Sequence, residues 1–321
     1  MSAAVAGLED AEVTRGRPAG PWLQLWRRLS RKRIAMIGLA IVIVIYLMGI
    51  TAQWTAPYSY REQDLTRGLE GPSADHFLGT DRLGRDMLSR VMYSARTTVI
   101  ITLTVIITGG LVIGPTLGLV SGYRGGWIDG LIGRVGDIFI ALPGLPMLIL
   151  INASLAPRVI EATGWIEDNS PLSGLVQNGV PSYLTVFGAL SLFFWVGSMR
   201  IIRAQTLQIR ERDFVLAAQA MGANTGHVIW RHLLPNVSFL LILGASTALG
   251  AVAGSELFLT WFGVGIQPPA PSFGAMIFEA GSVRTFQASP HLLLVPSFFV
   301  VSLLFAFALF GDALNDAVRA R

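Results

Sequence analysis

The sequence contains no cysteine, and Lys32 is the single lysine among its 321 residues. The absence of cysteine excludes disulfides, thiolate metal sites and thiol nucleophiles. A Walker-type phosphate loop needs a lysine followed by serine or threonine, whereas Lys32 is followed by Arg33. The motifs H-E-x-x-H and G-x-S-x-G are also missing. The sequence therefore indicates neither ATP hydrolysis of the Walker type nor metalloprotease or serine hydrolase chemistry, and we predict no catalytic residue and no metal site.

Charged residues are also scarce. They make up 14% of the chain, against about 25% in an ordinary soluble domain. Hydrophobic residues make up 52%, and the mean hydropathy is +0.58, which is typical of a membrane protein. The net charge is +4, but the arginines are dispersed along the chain, so no nucleic-acid surface is predicted.

Six apolar runs are long enough to cross the roughly 30 Å hydrocarbon core of a bilayer. We place them at 34–54, 97–121, 135–153, 183–199, 237–259 and 292–310. If the N-terminus is cytoplasmic, 16 Arg and Lys residues fall inside and 8 outside. This bias favours that orientation. The predicted fold class is an all-α membrane protein with six transmembrane helices and both termini in the cytoplasm.

Four glycines recur at every fourth position of the second run: Gly110, Gly114, Gly118 and Gly122. In lipid, such small-xxx-small spacing lets two helix backbones approach closely. We interpret these glycines as a packing seam without chemistry. Prolines at 115, 143, 146 and 296 predict kinks in several helices.

The segment before the fifth run predicts two short helices with a corner between them. An alanine-rich helix over Asp213–Met221 is stopped by Gly222. Asn224 or Thr225 then caps a second helix, and Pro235 restarts the chain into the fifth run. This arrangement would form a rigid knob able to fit a partner's groove.

This segment resembles the EAA loop of ABC importer permeases, in its stretches 214–223 and 231–236. Leu216 departs from the family pattern, which usually has a glutamate there. The resemblance implies that the segment couples the chain to a separate ATPase subunit, with Ala217, Ala218 and Gly222 as the tight centre of the contact. The full set of coupling residues it implies is Phe214, Val215, Leu216, Ala217, Ala218, Ala220, Met221, Gly222, Ala223, Leu234 and Pro235.

Three further segments resemble dipeptide and oligopeptide permeases of the C type, the nickel/peptide group. They are 79–90, with its G-T-D-x-x-G-R-D-x-x-S-R pattern, then Glu256 with 261–274, and finally 310–316. The resemblance implies the type I ABC importer permease fold. It divides the chain into a cytoplasmic tail at 1–33, a first transmembrane helix with an outer segment at 34–96, and a five-helix permease core at 97–321 with the coupling loop at about 210–236.

The first two of these segments have two interpretations each. The run 80–86 is either a turn in which Thr80 caps a helix and Asp81 meets its positive end, or a lip of the transport path or dock for a solute-binding protein. The prolines at 268, 269 and 271 exclude a continuation of the fifth helix. They make 261–274 either a stiff connector or a re-entrant or gating loop.

Glu256 has two interpretations as well, because an ionisable group near the end of a membrane span needs water or a partner. Either it lines the pathway and meets a peptide's amino group, or it is structural, solvated at the helix end or paired with Arg284. We favour the structural interpretation. The candidate outer-face or pathway residues are Thr80, Asp81, Arg85, Asp86, Glu256, Gln267, Pro268 and Pro269.

The resemblance implies a permease subunit, without a nucleotide site of its own, of an ATP-driven importer of di- or oligopeptides in a bacterial or archaeal cytoplasmic membrane. Its implied partners are a B-type permease, one or two cytoplasmic ABC ATPases that bind ATP and Mg, and an extracytoplasmic solute-binding protein; the chain itself is expected to hold no cofactor. Glutathione or a nickel chelate is the alternative cargo. An ion-coupled secondary transporter is the alternative class, which would predict inverted repeats and mid-bilayer carboxylates; the sequence shows neither.

Overall fold

The structure, a computed structural model, describes residues 27–319, so most of the predicted tail at 1–33 lies outside the described residues. Six of its helices are long and apolar enough to cross a membrane. These are α1 (Arg33–Thr55), α2 (Met87–Arg124), α4 (Gly144–Asn169), α5 (Val180–Ile209), α7 (Thr225–Trp261) and α10 (His291–Arg319). Shorter helices are α3 (Gly126–Ala141), α6 (Asp213–Ala220), α8 (Phe273–Ala280) and α9 (Val283–Ala288). The prediction of six transmembrane helices is confirmed.

The long helices alternate in direction, so the connections gather at two ends of the bundle. One end holds 122–129 and 210–224, where Arg210 donates to the Gly122 carbonyl at 3.1 Å; we call it the Gly222 end. The other holds 56–86, 170–179 and 262–290, where Arg61 donates to Asn178 Oδ1 at 2.8 Å; we call it the Arg90 end. Lys32 and Asp316 form an ion pair of 2.9 Å, so the two described ends of the chain lie together, as an even number of crossings requires.

The predicted third span was wrong in its position. The run 135–153 straddles a break at Leu142 and Pro143, where α3 ends and α4 begins. Leu142 is extended, with φ −81° and ψ 140°. A proline disfavours the helical conformation in the residue before it, so the apolar run divides there.

The prediction that Pro235 restarts the chain was also wrong. The second helix of the coupling segment and the fifth span form one continuous helix, α7. Pro235 lies two residues after a π-helical segment at Ile229–Leu233, and Pro115 in α2 likewise lies two residues after one at Ile106–Ile113. We attribute this continuity to the wider π-helical turn, which already departs from the i→i−4 hydrogen bonds that a proline would break.

The glycine seam packs α2 against α5, as predicted, at three of its four positions. A methyl group on Gly114 would lie 2.6 Å from the Trp195 carbonyl oxygen, and one on Gly118 would lie 2.6 Å from that of Met199. A methyl group on Gly122 would lie 2.7 Å from Thr206 Cβ. Gly110 lies in more open space, 3.9 Å from Ile106 Cγ2. The seam therefore covers the half of α2 that ends at the Gly222 end.

Five apolar clusters fill the described part of the bundle, and three of them position the elements discussed below. One joins α1, α2, α8 and α10 around Met87, Phe273 and Leu303, and a second joins α2, α4, α5 and α7 around Ile101 and Leu190. The third lies beneath α6, and its buried members are Leu119, Ile202, Val215, Val228, Leu233 and Val237. Because α6 is short, this third cluster is what anchors it to the long helices.

Candidate coupling site and charged cavity

The predicted corner in the coupling segment is present. Helix α6 ends at Ala220, and Gly222 has φ +84°. Ala223 N–H donates to the Ala218 carbonyl at 3.0 Å, and Gly222 N–H donates to that of Gln219 at 2.9 Å. This is the Schellman arrangement, which needs a residue in the left-handed region and so favours glycine. Asn224 then caps α7, accepting a hydrogen bond from His227 N–H at 2.8 Å.

The predicted coupling residues divide between two faces. Val215 and Ala218 are buried within the chain itself. Phe214, Leu216 and Met221 are exposed, Met221 by 83%. The remaining residues are mostly open as well: Ala217, Ala220, Gly222 and Pro235 are exposed, and Ala223 and Leu234 are half-buried.

A shallow hollow of about 400 Å³ opens beside the corner, lined by Met221, Gly222, His227 and His232 among others. Of the exposed apolar side chains, Met221 borders this concave surface. Trp230, 68% exposed, adds a further large apolar group on the same segment. Exposed apolar groups of this kind are typical of protein–protein or membrane contact surfaces.

Polar contacts between residues distant in sequence join this corner to the bundle. Gln219 Nε2 donates to the Tyr123 hydroxyl at 3.0 Å. Six residues further along the chain, Asp129 forms a bidentate pair with Arg203, at 2.5 and 2.6 Å. Ser121 also donates to Asp129, at 2.5 Å. The turn between α2 and α3 is thereby tied both to α5 and to α6.

The pKa of Asp129 is lowered from 3.8 to about 2, chiefly by the hydrogen bonds from the Arg203 guanidinium. The hydrogen bond from the Ser121 hydroxyl lowers it further, by a smaller amount. Asp129 and Arg203 were missed in the sequence. They lie 74 positions apart, so no local spacing connects them.

At the Arg90 end, the G-T-D-x-x-G-R-D motif forms a compact turn. Thr80 is fully buried, donating to the Arg67 carbonyl at 2.5 Å and accepting from Glu70 N–H at 2.9 Å. Gly84 has φ +69°, and a methyl group there would collide with the Asp64 carbonyl. Asp81 Oδ1 accepts from the N–H groups of Leu83 and Arg85, at 2.8 and 3.0 Å. The Thr80 and Asp81 side chains and Gly84 therefore fix the backbone conformation of this turn.

The prediction that Thr80 caps a helix was wrong. The cap of α2 is Asp86, whose Oδ2 accepts from Ser89 N–H at 2.7 Å. Its other oxygen, Oδ1, lies 2.9 Å from His76 Nδ1. Thr80 lies too far before Met87 to reach the orphan N–H groups of the first helical turn.

Four charged groups at this turn form an ion-pair network. Asp81 Oδ2 accepts from Arg85 and Arg90, both at 2.5 Å. Glu279 of α8 accepts from the same two arginines, at 3.0 and 2.8 Å. Arg90 and Asp81 are buried, so each compensates the other's loss of hydration.

The network forms one wall of a cavity of about 680 Å³, a volume within the usual range for small-molecule sites. Of the predicted outer-face residues, Asp81, Arg85, Pro268 and Pro269 line it. Gln267 instead lines a smaller hollow beside α4, and its side chain donates to the Gly263 carbonyl at 3.0 Å. Thr80, Asp86 and Glu256 are buried.

As predicted, the segment between the fifth span and α8 does not continue the helix of that span. Helix α7 ends at Trp261, and α8 begins at Phe273 after the Ser272 cap. Thr97 of α2 donates to the Pro271 carbonyl at 2.8 Å, and Asn152 of α4 donates to that of Val264. The connector is therefore held by helices on two sides.

The environment predicted for Glu256 was wrong. Its carboxylate is neither solvated nor, within the described residues, paired with Arg284, and it is 1% exposed. Thr260 donates to it at 3.2 Å, and Thr260 in turn accepts from Ile266 N–H at 3.0 Å. The connector folds back against the end of α7 at Thr260, and the sequence pattern does not reveal that Glu256 is buried there.

Residues 114–321 match the family model described as the inner membrane component of binding-protein-dependent transport systems. Residues 20–72 match the N-terminal transmembrane domain of oligopeptide transport permease C. The chain belongs to the family of inner-membrane permeases of binding-protein-dependent transport systems.

Individual relatives match along nearly the whole chain. A dipeptide transport system permease from Alkalihalophilus pseudofirmus is 33% identical over 298 residues, 93% of this chain and 89% of the relative. The oligopeptide transport system permease of Bacillus subtilis is 31% identical over 315 residues, 98% of this chain and 94% of the relative. A glutathione transport system permease from Pectobacterium atrosepticum is 31% identical over 299 residues, 93% and 90% of the two chains.

Proposed function

We propose that this chain is the C-type permease subunit of an ATP-driven importer of di- or oligopeptides in a bacterial or archaeal cytoplasmic membrane. The relatives named for dipeptide and oligopeptide transport support the cargo class. The arginine and lysine bias supports placing the Gly222 end in the cytoplasm and the Arg90 end outside. In this orientation both described ends of the chain are cytoplasmic.

The observation that supports coupling most directly is the shape of the α6 corner. Its glycine turn presents Phe214, Leu216 and Met221 to a partner, while Val215 anchors the same helix in the apolar cluster beneath it. A displacement of the exposed face is therefore transmitted to the close-packed side chains beneath it, because the segment is a packed helix and not a flexible loop. We infer that a cytoplasmic ABC ATPase, which holds ATP and Mg, seats on this face.

The proposed transport cycle needs a source of energy outside this chain. Shifting a pathway from almost entirely inward-facing to almost entirely outward-facing takes about 5.5 kcal/mol of differential binding, and this chain has no Walker-type lysine. The proposed complex supplies the rest: one or two ATPase subunits, a B-type permease that completes the pathway, and an extracytoplasmic solute-binding protein that delivers the cargo.

The test is peptide uptake by cells that express the complex with and without its ATPase subunits. We expect uptake to stop when the ATPases are removed, and to stop as well when their ATP site is inactivated. Uptake that persists without them and collapses with the ion gradient would instead support a secondary transporter.

Glutathione is the second candidate cargo, because the Pectobacterium relative is named for it. Nickel chelates are a third. Competition of labelled dipeptide uptake by unlabelled dipeptides, longer peptides, glutathione and a nickel chelate ranks the four. We expect dipeptides or oligopeptides to compete at the lowest concentration.

A further inference from the structure

The charged cavity at the Arg90 end has an unequal charge balance. Four arginines line it, at 61, 82, 85 and 90, together with two carboxylates, Asp81 and Glu279. Arg85 and Arg90 are compensated, because both pair with both carboxylates. The other two arginines leave the lining with an excess of two positive charges.

Neutral groups hold these two remaining arginines in place. Arg82 donates to the hydroxyls of Ser282 and Thr285. Arg61 donates to the Gln177 carbonyl at 3.1 Å and to Asn178 Oδ1 at 2.8 Å. Neither forms an ion pair with a carboxylate in the described part of the chain. Oriented guanidinium groups without an anionic partner, at the wall of a cavity, are suited to a carboxylate ligand.

The rest of the lining suits a small amphipathic molecule. Tyr60, Pro268, Pro269, Met276 and Leu292 provide apolar surface. Among the described residues, both ion pairs of Glu279 use Oε2, so Oε1 is free to accept from an ammonium group. A pocket with apolar walls and a few convergent charges is the usual form of a small-molecule site.

We propose that this cavity binds a short peptide in its zwitterionic form, with Arg82 and Arg61 contacting its free α-carboxylate and Glu279 contacting its ammonium group. The inference rests on the proposed peptide cargo, and it gives the permease a contact with the substrate at the Arg90 end. Arg82 is the contact chosen for the test, because its hydroxyl partners hold it without neutralising its charge.

The test compares binding of a labelled dipeptide, Ala-Phe, with binding of its C-terminal amide. Both are measured on the permease–ATPase complex in nanodiscs, without the solute-binding protein. We expect the wild type to bind the free acid, and Arg82→Gln to weaken that binding about tenfold, as the loss of one charge-assisted hydrogen bond would. The amide should bind weakly to both, and Arg82→Lys should restore part of the affinity.

Arg284→Gln is the matched control, because Arg284 is an exposed arginine on α9 that does not line the cavity. Equal binding of acid and amide by the wild type, an unchanged affinity in Arg82→Gln, or the same loss in Arg284→Gln would each overturn the inference. So would a result in which Arg82→Gln leaves peptide binding intact and weakens docking of the solute-binding protein. Peptide uptake by the wild-type complex, measured in parallel, separates this from a failure of the proposed function. A complex that imports peptides but shows no effect of Arg82 refutes the cavity site alone.

Discussion

At the residue scale, Gly222 combines two properties: a left-handed backbone and open surroundings. Its φ is +84°, and a methyl group there would meet nothing within 4 Å in this chain. The subunit therefore leaves space for a side chain at this position, although the left-handed backbone strains residues other than glycine. A substitution at this position therefore tests the backbone requirement together with the proposed contact, and a control residue that tolerates the left-handed region is needed.

We expect Gly222→Trp to leave the chain inserted in the membrane and to abolish stimulation of the partner ATPase by substrate. The control is Gly222→Asn, because asparagine tolerates the left-handed region and is much smaller; it should retain most of the stimulation. ATPase activity of the reconstituted complex measures both. Normal stimulation in the tryptophan variant would refute the coupling role of this corner.

Asp129 and Asp137 provide a matched comparison of two ion pairs on one helix. Asp129 pairs with Arg203 and is 19% exposed, whereas Asp137 pairs with Arg200 and is 67% exposed. Exposed pairs contribute little because water and salt screen them. Only the first pair is expected to affect stability.

We predict that Asp129→Asn lowers the free energy of unfolding by about 1 kcal/mol, while Asp137→Asn changes it little. Because the folded pKa of Asp129 is lowered to about 2 from 3.8, its contribution is present above pH 4. It is lost as the pH falls from about 4 towards 2. Thermal midpoints of the purified chain and both variants across this range measure the difference. Parallel curves for the wild type and Asp129→Asn would contradict the prediction.

At the element scale, the glycine seam joins two long helices through direct backbone contact. A side chain at Gly118 would meet the Met199 carbonyl oxygen at 2.6 Å and Ile202 Cβ at 3.0 Å. By contrast, Gly133 on α3 has nothing within 4 Å of an added methyl group. Gly118 and Gly133 are therefore both helical, but only Gly118 lies in close contact with a neighbouring helix.

Gly118→Ala should destabilise the bundle by about 1–3 kcal/mol, because α2 and α5 must move apart to admit the methyl group. Gly133→Ala should be neutral or slightly stabilising, since alanine has the higher helix propensity. The thermal midpoint of each variant in detergent tests this pair. A loss of equal size at both positions would show that the seam does not depend on close approach.

Helix positions were predictable from the sequence because hydrophobic length and cap residues act locally. The predicted α6 helix and its glycine corner lie within one residue of those observed. Errors arose where prolines act, since a proline at 143 divides an apolar run while prolines at 115 and 235 follow π-helical segments and leave the helix continuous.

At the scale of the whole molecule, the orientation in the membrane can be tested without removing any native cysteine. The chain contains none, so one introduced cysteine is the only labelling site. Met221, 83% exposed, and Leu65, 72% exposed, lie at opposite ends of the bundle.

We predict that a membrane-impermeant maleimide labels Leu65→Cys in intact cells or spheroplasts, and labels Met221→Cys only in inside-out vesicles. The proposed orientation places Leu65 outside and Met221 in the cytoplasm. The cysteine-free parent provides the background. The reverse pattern would overturn the orientation and, with it, the placement of the ATPase at α6.

The sequence alone determined the six crossings, the lack of a Walker-type lysine and the glycine corner of the coupling segment. These depend on composition and short-range spacing. Tertiary structure decided which distant charges meet: Asp129 pairs with Arg203, and Glu279 pairs with Arg85 and Arg90 at the wall of one cavity. It also decided that Glu256 is covered. Burial and ion pairing depend on which helices pack together, and local spacing does not specify that.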